Sequence, residues 1–399
     1  MRHFFNTFIS TLLALIGLTI IINIFVDPYE QFHTVSITGF NAEKYNSGSR
    51  ITKSLKVTKQ TFDTLIMGTS RAEIGFNPEH PAWQKRPVYN LSLNAASMDE
   101  VYQVFQYTLA HNPPKLLFLS LDLLMFNQHN ELGADFEHSL FSGHSVWHST
   151  MQSLLGFNAL NQSRKTVRRN MRGTSSYYTS TGQRIGQRVF TDLIGEQGQR
   201  SLFWRALTSQ YIQNTNTYKD FIYDPSKVKH LQNIIQICQA SGINLYLIIP
   251  PIHALQLETI VQMGLWSDFE HLKRDLVDST RHTTVPVYDF TAWVGINAES
   301  LPAPEDHKGR MQWYWEASHF KEGLGDKVIQ KVLTGAKNNH FGKLLNIHNI
   351  DTHLQQQRDS RNQYINLHKP DIQELWQVLQ DHGILKNDTP FAAYSQRAL

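Results

Sequence analysis

The chain has 399 residues, with 37 Lys and Arg against 34 Asp and Glu, a net charge of +3, and 11% aromatic residues. That is enough chain for one large domain or two modest ones, too aromatic for disorder, and too near neutrality for a general phosphate-binding surface, so nucleic acid is not an expected partner. One cysteine, Cys238, excludes an internal disulfide framework and any multi-cysteine metal cage.

From Phe8 to Val26 the chain is almost wholly apolar, broken only by Ser10, Thr11, Gly17, Thr19 and Asn23. As a helix this stretch spans about 28 Å, close to the hydrocarbon thickness of a bilayer. The run is longer than a signal-peptide core and ends in Phe25-Val26-Asp27-Pro28 without a small-residue cleavage site. It reads as an uncleaved signal anchor, a transmembrane helix within residues 1–29. Arg2 precedes it and no basic cluster follows closely, which predicts a cytoplasmic N-terminus and, for a bacterial chain, an inner-membrane anchor with the remainder in the periplasm.

Short buried strands are predicted at Phe62–Met67, Val88–Leu93, Leu116–Leu121, Asn244–Ile249 and Val285–Phe290. Helical patterns alternate with them. Ser97 and Glu100 form a capping box ahead of Val101–His111. Leu231, Ile234, Ile235 and Cys238 fall on one helical face, which makes Cys238 a core residue, and Gly242 stops that helix. Another helix covers about 323–333. This alternation predicts an α/β fold, a parallel sheet with both faces covered, over residues 30–340. Residues of about 128–223 are polar and read as a helical insertion at the sheet's edge. Beyond Phe341 a polar extension, 341–399, ends in an amphipathic helix at Asp371–Leu379.

Two motifs carry candidate chemistry. In Thr64-Leu65-Ile66-Met67-Gly68-Thr69-Ser70-Arg71 a buried strand ends at Gly68 and a hydroxyl follows. Ligands collect at such strand ends in open parallel sheets, and a serine there offers Oγ and its own N–H to one small volume. A helix-capping serine is the plainer role. In Trp315-Glu316-Ala317-Ser318-His319-Phe320 a carboxylate stands three residues before a histidine. Such an acid can hold Nδ1–H and leave Nε2 as a base.

Together these pieces resemble the SGNH hydrolases, or GDSL-type esterases. The Gly68-Thr69-Ser70 turn is similar to the family's Gly-Asp-Ser, and Glu316-Ala317-Ser318-His319 to its Asp-x-x-His, in the same order along the chain. The layout is that of a membrane-anchored bacterial branch, similar to the SGNH-like domains of periplasmic alginate O-acetylation proteins. The resemblance covers about 60–335 and implies a three-layer flavodoxin-like sandwich. It also implies acyl transfer by Ser70, His319 and Glu316 with no cofactor.

The resemblance implies further oxyanion donors after the second and third strands. There Ala95 stands where the family has glycine, and Asp122 occupies the neighbourhood of the family's asparagine. An ionised carboxylate donates nothing, so Asn94, Asn127 or Arg71 is the expected substitute. Asp122 reads equally as a loop-fixing carboxylate. The expected substrate is an acylated glycan or other acyl ester, with envelope-assembly proteins as further partners. A non-catalytic SGNH-like glycan-binding or assembly scaffold is the rival reading, and a lipase or thioesterase with an apolar acyl groove a third.

Other features read more plainly. His253, after Pro250-Pro251, is a pocket candidate or part of a stiffened loop, and Asp289 is an alternative acid. His144 and His148, near Asp135, Glu137 and His138, read as a solvated or packed pair and not as a metal site. The run Arg164-Lys165-Thr166-Val167-Arg168-Arg169 suits lipid headgroups, an acidic polysaccharide, or simply a solvated helix face.

Overall fold

The computed structural model describes residues 1–335 and 341–385. Residues 336–340, at the end of the predicted 30–340 domain, and 386–399 of the predicted extension lie outside the described residues. The chain divides into two compact units. One comprises 1–61, 106–113 and 133–185; the other comprises 62–105, 114–132 and 186–399.

The first unit begins with the helix Arg2–Val26, the one helix among the described residues long and apolar enough to cross a membrane. At 1.5 Å per residue its 25 residues reach about 37 Å. Phe4, Phe5, Phe8, Leu12, Leu13 and Leu15 are all exposed, an all-round apolar surface that suits lipid and not water. Beyond this helix the unit has its own core, with Tyr29, Ile51, Leu55, Leu140 and Ala159 packed together. Arg50 pairs with Asp135 at 3.1 Å. Gly48 is required there, because a Cβ would meet the Tyr178 ring at 2.0 Å.

The second unit is built on a six-stranded sheet: β1 (Thr64–Met67), β2 (Val88–Asn90), β3 (Leu116–Ser120), β4 (Asn244–Ile249), β5 (Val287–Asp289) and β6 (Lys343–Leu345). The order is β2-β1-β3-β4-β5-β6. The first five pair in parallel, and β6 runs antiparallel to β5. The purely parallel sheet expected from the sequence is therefore corrected to a mixed one. β6 has three residues, two of them exposed, and carries no apolar run that would announce a strand. β1, β2 and β3 are buried throughout, as strands covered on both faces must be. Strand order reverses between β1 and β3, so the carboxyl ends of β1, β2 and β3 open on a topological switch point.

The segment read as one insertion, about 128–223, is mostly helical but is shared between the two units: residues 133–185 belong to the first, and 128–132 and 186–223 to the second. The polar stretch after β6 is also helical, at Ile350–Leu367 and Lys369–Asp381. Two of its side chains enter buried pairs. Arg361 holds Glu258 through Nε and Nη2, both at 2.8 Å, and His353 Nε2 meets Asp289 Oδ2 at 2.9 Å. Arg361 and Glu258 are almost wholly inaccessible, so polar composition here goes with interior packing.

Candidate active site

β1 leaves the sheet at Gly68, which sits against the end of β3; a Cβ there would lie 2.9 Å from the Ser120 carbonyl oxygen. The chain turns at once into the short helix Ser70–Gly75. The turn thus sets Ser70 at the first helical position, where its N–H has no intrahelical partner.

The histidine comes from a clamped loop. Tyr314 and Phe320 form an antiparallel bridge, Trp315 N–H donates to the His319 carbonyl at 2.9 Å, and Lys321 N–H to that of Trp313 at 2.7 Å. Inside the loop the buried Glu316 carboxylate accepts from the N–H of Ser318 at 2.9 Å and of His319 at 3.0 Å. The same carboxylate receives His319 Nδ1 in a short hydrogen bond. The opposite nitrogen, Nε2, lies 2.8 Å from Ser70 Oγ. Burial raises the Glu316 carboxyl, but His319 and the two backbone N–H groups outweigh it and hold the group below its ordinary range. An ionised acid behind Nδ1 fixes the tautomer in which Nε2 can accept a proton.

Arg71 joins the serine turn to this loop. Its Nε donates to the Ser318 carbonyl at 3.2 Å, and its Nη1 lies 3.3 Å from Asp122 Oδ2. Thr69 Oγ1 donates to the same carboxylate oxygen at 2.6 Å. Hydrogen bonding assigns the Gln256 amide so that its nitrogen donates to the Ala317 carbonyl at 2.7 Å and its oxygen accepts from Arg71 Nη2 at 3.1 Å. Burial alone would lower the Arg71 pKa, yet Asp122 and the other anionic groups around it raise it, so the guanidinium stays charged. Asp122 is accordingly an ion-pair partner that fixes the loop after β3.

These residues open on a cleft of about 350 Å³. Ser70, Arg71, Asn94, Ala95, Asp122 and His319 all line it. Ala95 has a φ of 53°, left-handed backbone that favours glycine and costs a non-glycine residue roughly 1–2 kcal/mol. Its N–H has no hydrogen-bond partner among the described residues. Strain of this kind concentrates at functional positions.

No protein-family model matches the chain, and no curated protein matches it.

Two sequence candidates lie apart from the cleft lining. Asn127 is buried, its Nδ2 donating to the Asn216 carbonyl at 3.2 Å and its Oδ1 accepting from His129 and Ile222 N–H, each at 3.2 Å. His253 caps the helix Ala254–Gln262 through Nδ1 and uses Nε2 on the Glu299 carbonyl at 2.7 Å. Burial lowers its pKa to about 4, so it is a neutral structural imidazole near pH 7. Asp289 is bound by Lys273 and His353. Among the described residues no three His, Cys, Asp or Glu side chains converge as metal ligands.

One wall of the cleft was not anticipated. Gln210 and Tyr211 come from the π-helical turn Leu207–Ile212, Asn216 and Thr217 from the next, Thr215–Lys219, and Asn214 caps the second. Wide turns of this kind recur at functional sites. The Tyr211 hydroxyl on this wall is buried, and burial raises its pKa. The run Gln213-Asn214-Thr215-Asn216-Thr217 was the one available signal, and it reads as a loop. Leu124 is the only branched aliphatic side chain in the lining among the described residues.

Proposed function

We propose that this chain is a membrane-anchored, extracytoplasmic serine acyl-esterase or O-acyltransferase of the SGNH type. Its substrate class is an O-acylated glycan of the envelope or of an exported polymer. The observation that carries the reading is the continuous relay from Glu316 through His319 to Ser70 Oγ, opening on a cleft at the carboxyl ends of β1, β2 and β3. The order β2-β1-β3-β4-β5 supports a flavodoxin-like sandwich of the SGNH kind. The N-terminal helix and Arg2 ahead of its apolar run support an inner-membrane anchor with the folded part in the periplasm.

In this reading Ser70 Oγ attacks the ester carbonyl while His319 Nε2 takes its proton. The oxyanion forms against the N–H groups of Ser70 and Ala95. His319 then returns the proton to the leaving sugar oxygen, and the acyl group stays on Ser70. Water or a second sugar hydroxyl attacks that ester, His319 accepting its proton and passing it back to Ser70. Arg71 is engaged with Asp122 and Ser318, and Asn127 with the Asn216 carbonyl, whereas Asn94 lines the cleft and is the third donor in this reading. The amide and hydroxyl wall supports a hydroxyl-rich acyl carrier over a long acyl chain, which would want an apolar groove.

The alternative, a non-catalytic glycan-binding or assembly scaffold, draws on Asp122, because an ionised carboxylate gives an oxyanion nothing. Full-length protein in detergent, treated with a fluorophosphonate probe, separates the two. The enzyme reading expects labelling that Ser70→Ala abolishes. Folded protein that stays unlabelled, and that releases no acetate from acetylated oligosaccharides, would favour the scaffold.

A further inference from the structure

The basic run at 164–169 finds a use in the unit that carries the N-terminal helix. The helix Phe157–Met171 buries a stripe of small residues, Ala159, Ser163 and Thr166. Ser163 Oγ lies 2.8 Å from Asn23 Oδ1, and Asn23 Nδ2 donates to the Leu154 carbonyl at 2.9 Å. Asn23 stands three residues before the end of the membrane-length helix at Val26. The helices Val146–Leu155 and Phe157–Met171 are thereby fastened to the last turns of that span. An exposed Trp147 on the first of them is the residue type enriched at bilayer interfaces.

The outward stripe of Phe157–Met171 is apolar and cationic together. Leu160, Arg164, Val167, Arg168 and Met171 recur at helical spacing and, with Ile22 of the spanning helix, line a groove of about 630 Å³. Phe157 and Met171, at either end, are 82% and 77% exposed, unfavourable in water for side chains of that size. The basic residues divide by role. Lys165 and Arg169 lie over the Tyr45 ring at 4.9 and 5.2 Å, and Arg169 also over Tyr177 at 4.2 Å. Arg168 has no partner among the described residues, and Arg164 makes one exposed contact, to Asn161 Oδ1 at 3.1 Å. Two solvent-facing guanidinium groups one turn apart thus border an apolar trough that adjoins a membrane-spanning helix.

We propose that this groove binds an anionic phospholipid of the membrane the N-terminal helix crosses. One acyl chain lies along Ile22, Leu160, Val167 and Met171, and the phosphate sits between Arg164 and Arg168. An acidic polysaccharide would engage the arginines but leave the apolar floor unused. The assignment does not depend on the chemistry of the cleft.

The test uses the full chain in phosphatidylcholine nanodiscs containing a trace of phosphatidylglycerol with a photoreactive acyl chain. A phosphatidylcholine probe with the same acyl chain serves as the comparison. Crosslinks mapped by mass spectrometry should fall on 157–171 and favour the anionic probe. Replacing both arginines (Arg164→Gln with Arg168→Gln) should lower that preference by about fivefold per arginine. Both side chains are exposed, so an unchanged melting temperature will confirm that the variant is folded. Equal labelling by the two probes, labelling indifferent to the double substitution, or crosslinks confined to residues 2–26 would each overturn the proposal. So would displacement of the anionic probe by a soluble polyuronate, which would assign the arginines to a polysaccharide.

Discussion

Glu316 with His319 and Asp289 with His353 are both buried carboxylates paired to an imidazole in the sheet-bearing unit. Both acids are held below their ordinary range against the effect of burial. Their surroundings differ in two respects. Asp289 also receives the buried Lys273 ammonium at 2.9 Å, and Lys273 is tied to Thr291 at 2.9 Å and Gln357 at 2.6 Å. That charge is cancelled, and the imidazole spends Nε2 on the acid itself. Among the described residues Glu316 pairs with no lysine; its partners are His319, the Ser318 hydroxyl and two N–H groups, and His319 keeps Nε2 for a hydroxyl at the mouth of a cleft. A histidine–carboxylate pair is thus a fastening or a base according to where the second nitrogen points and whether a cation has neutralised the acid.

The comparison is broken most severely at the serine and histidine. Ser70→Ala or His319→Ala should lower ester turnover by about four to six orders of magnitude, read with an activated acetyl ester, and Ser70→Ala should leave the melting temperature nearly unchanged. Lys273→Met should do the reverse. It strands Asp289 in the interior, at a cost of about 3–5 kcal/mol in thermal or urea unfolding, yet turnover per folded molecule stays at the parent level. If instead Lys273→Met abolished turnover at temperatures where the protein is folded, the separation of roles would fail.

Acid should act on both pairs with the same sign. A carboxyl whose folded pKa is depressed contributes stability that is present above its unfolded pKa and lost as pH falls through the folded one. The ordinary values are 4.5 for Glu316 and 3.8 for Asp289. The melting temperature should therefore hold above pH 4.5 and fall below it, and Glu316→Gln should make that fall shallower. A flat profile into strong acid would show that neither carboxylate is linked to folding. The smallest effect is expected at Ala95→Gly, which relieves the left-handed backbone: stability should rise by about 1 kcal/mol with turnover retained. A loss of stability there would show that the methyl group packs usefully.

Much of this was legible before the structure, and the rest was hidden for physical reasons. β1 to β4 announce themselves as apolar runs closed by turn residues, and Gly68-Thr69-Ser70 and Glu316 to His319 are local motifs read off a few positions. The division of the chain was not legible, because residues 133–185 fold with the N-terminal segment across a long sequence gap. The polar wall at 210–217 was not legible either, since π-helical turns carry no hydrophobic period. Arg361 and Lys273 look like surface residues in sequence; only their partners, Glu258 and Asp289, bring them inside. Asn127 and His253 were plausible by type, and their side chains turn out to be spent on backbone groups.

In the proposed reading Ser70 is a nucleophile activated through His319. Brief exposure of the full chain to p-nitrophenyl acetate, acid quenching, and peptide mapping by mass spectrometry decides this. A single acetyl group is expected on Ser70, absent from His319→Ala. Acetyl groups scattered over surface lysines, with none on Ser70 of folded protein, would contradict it.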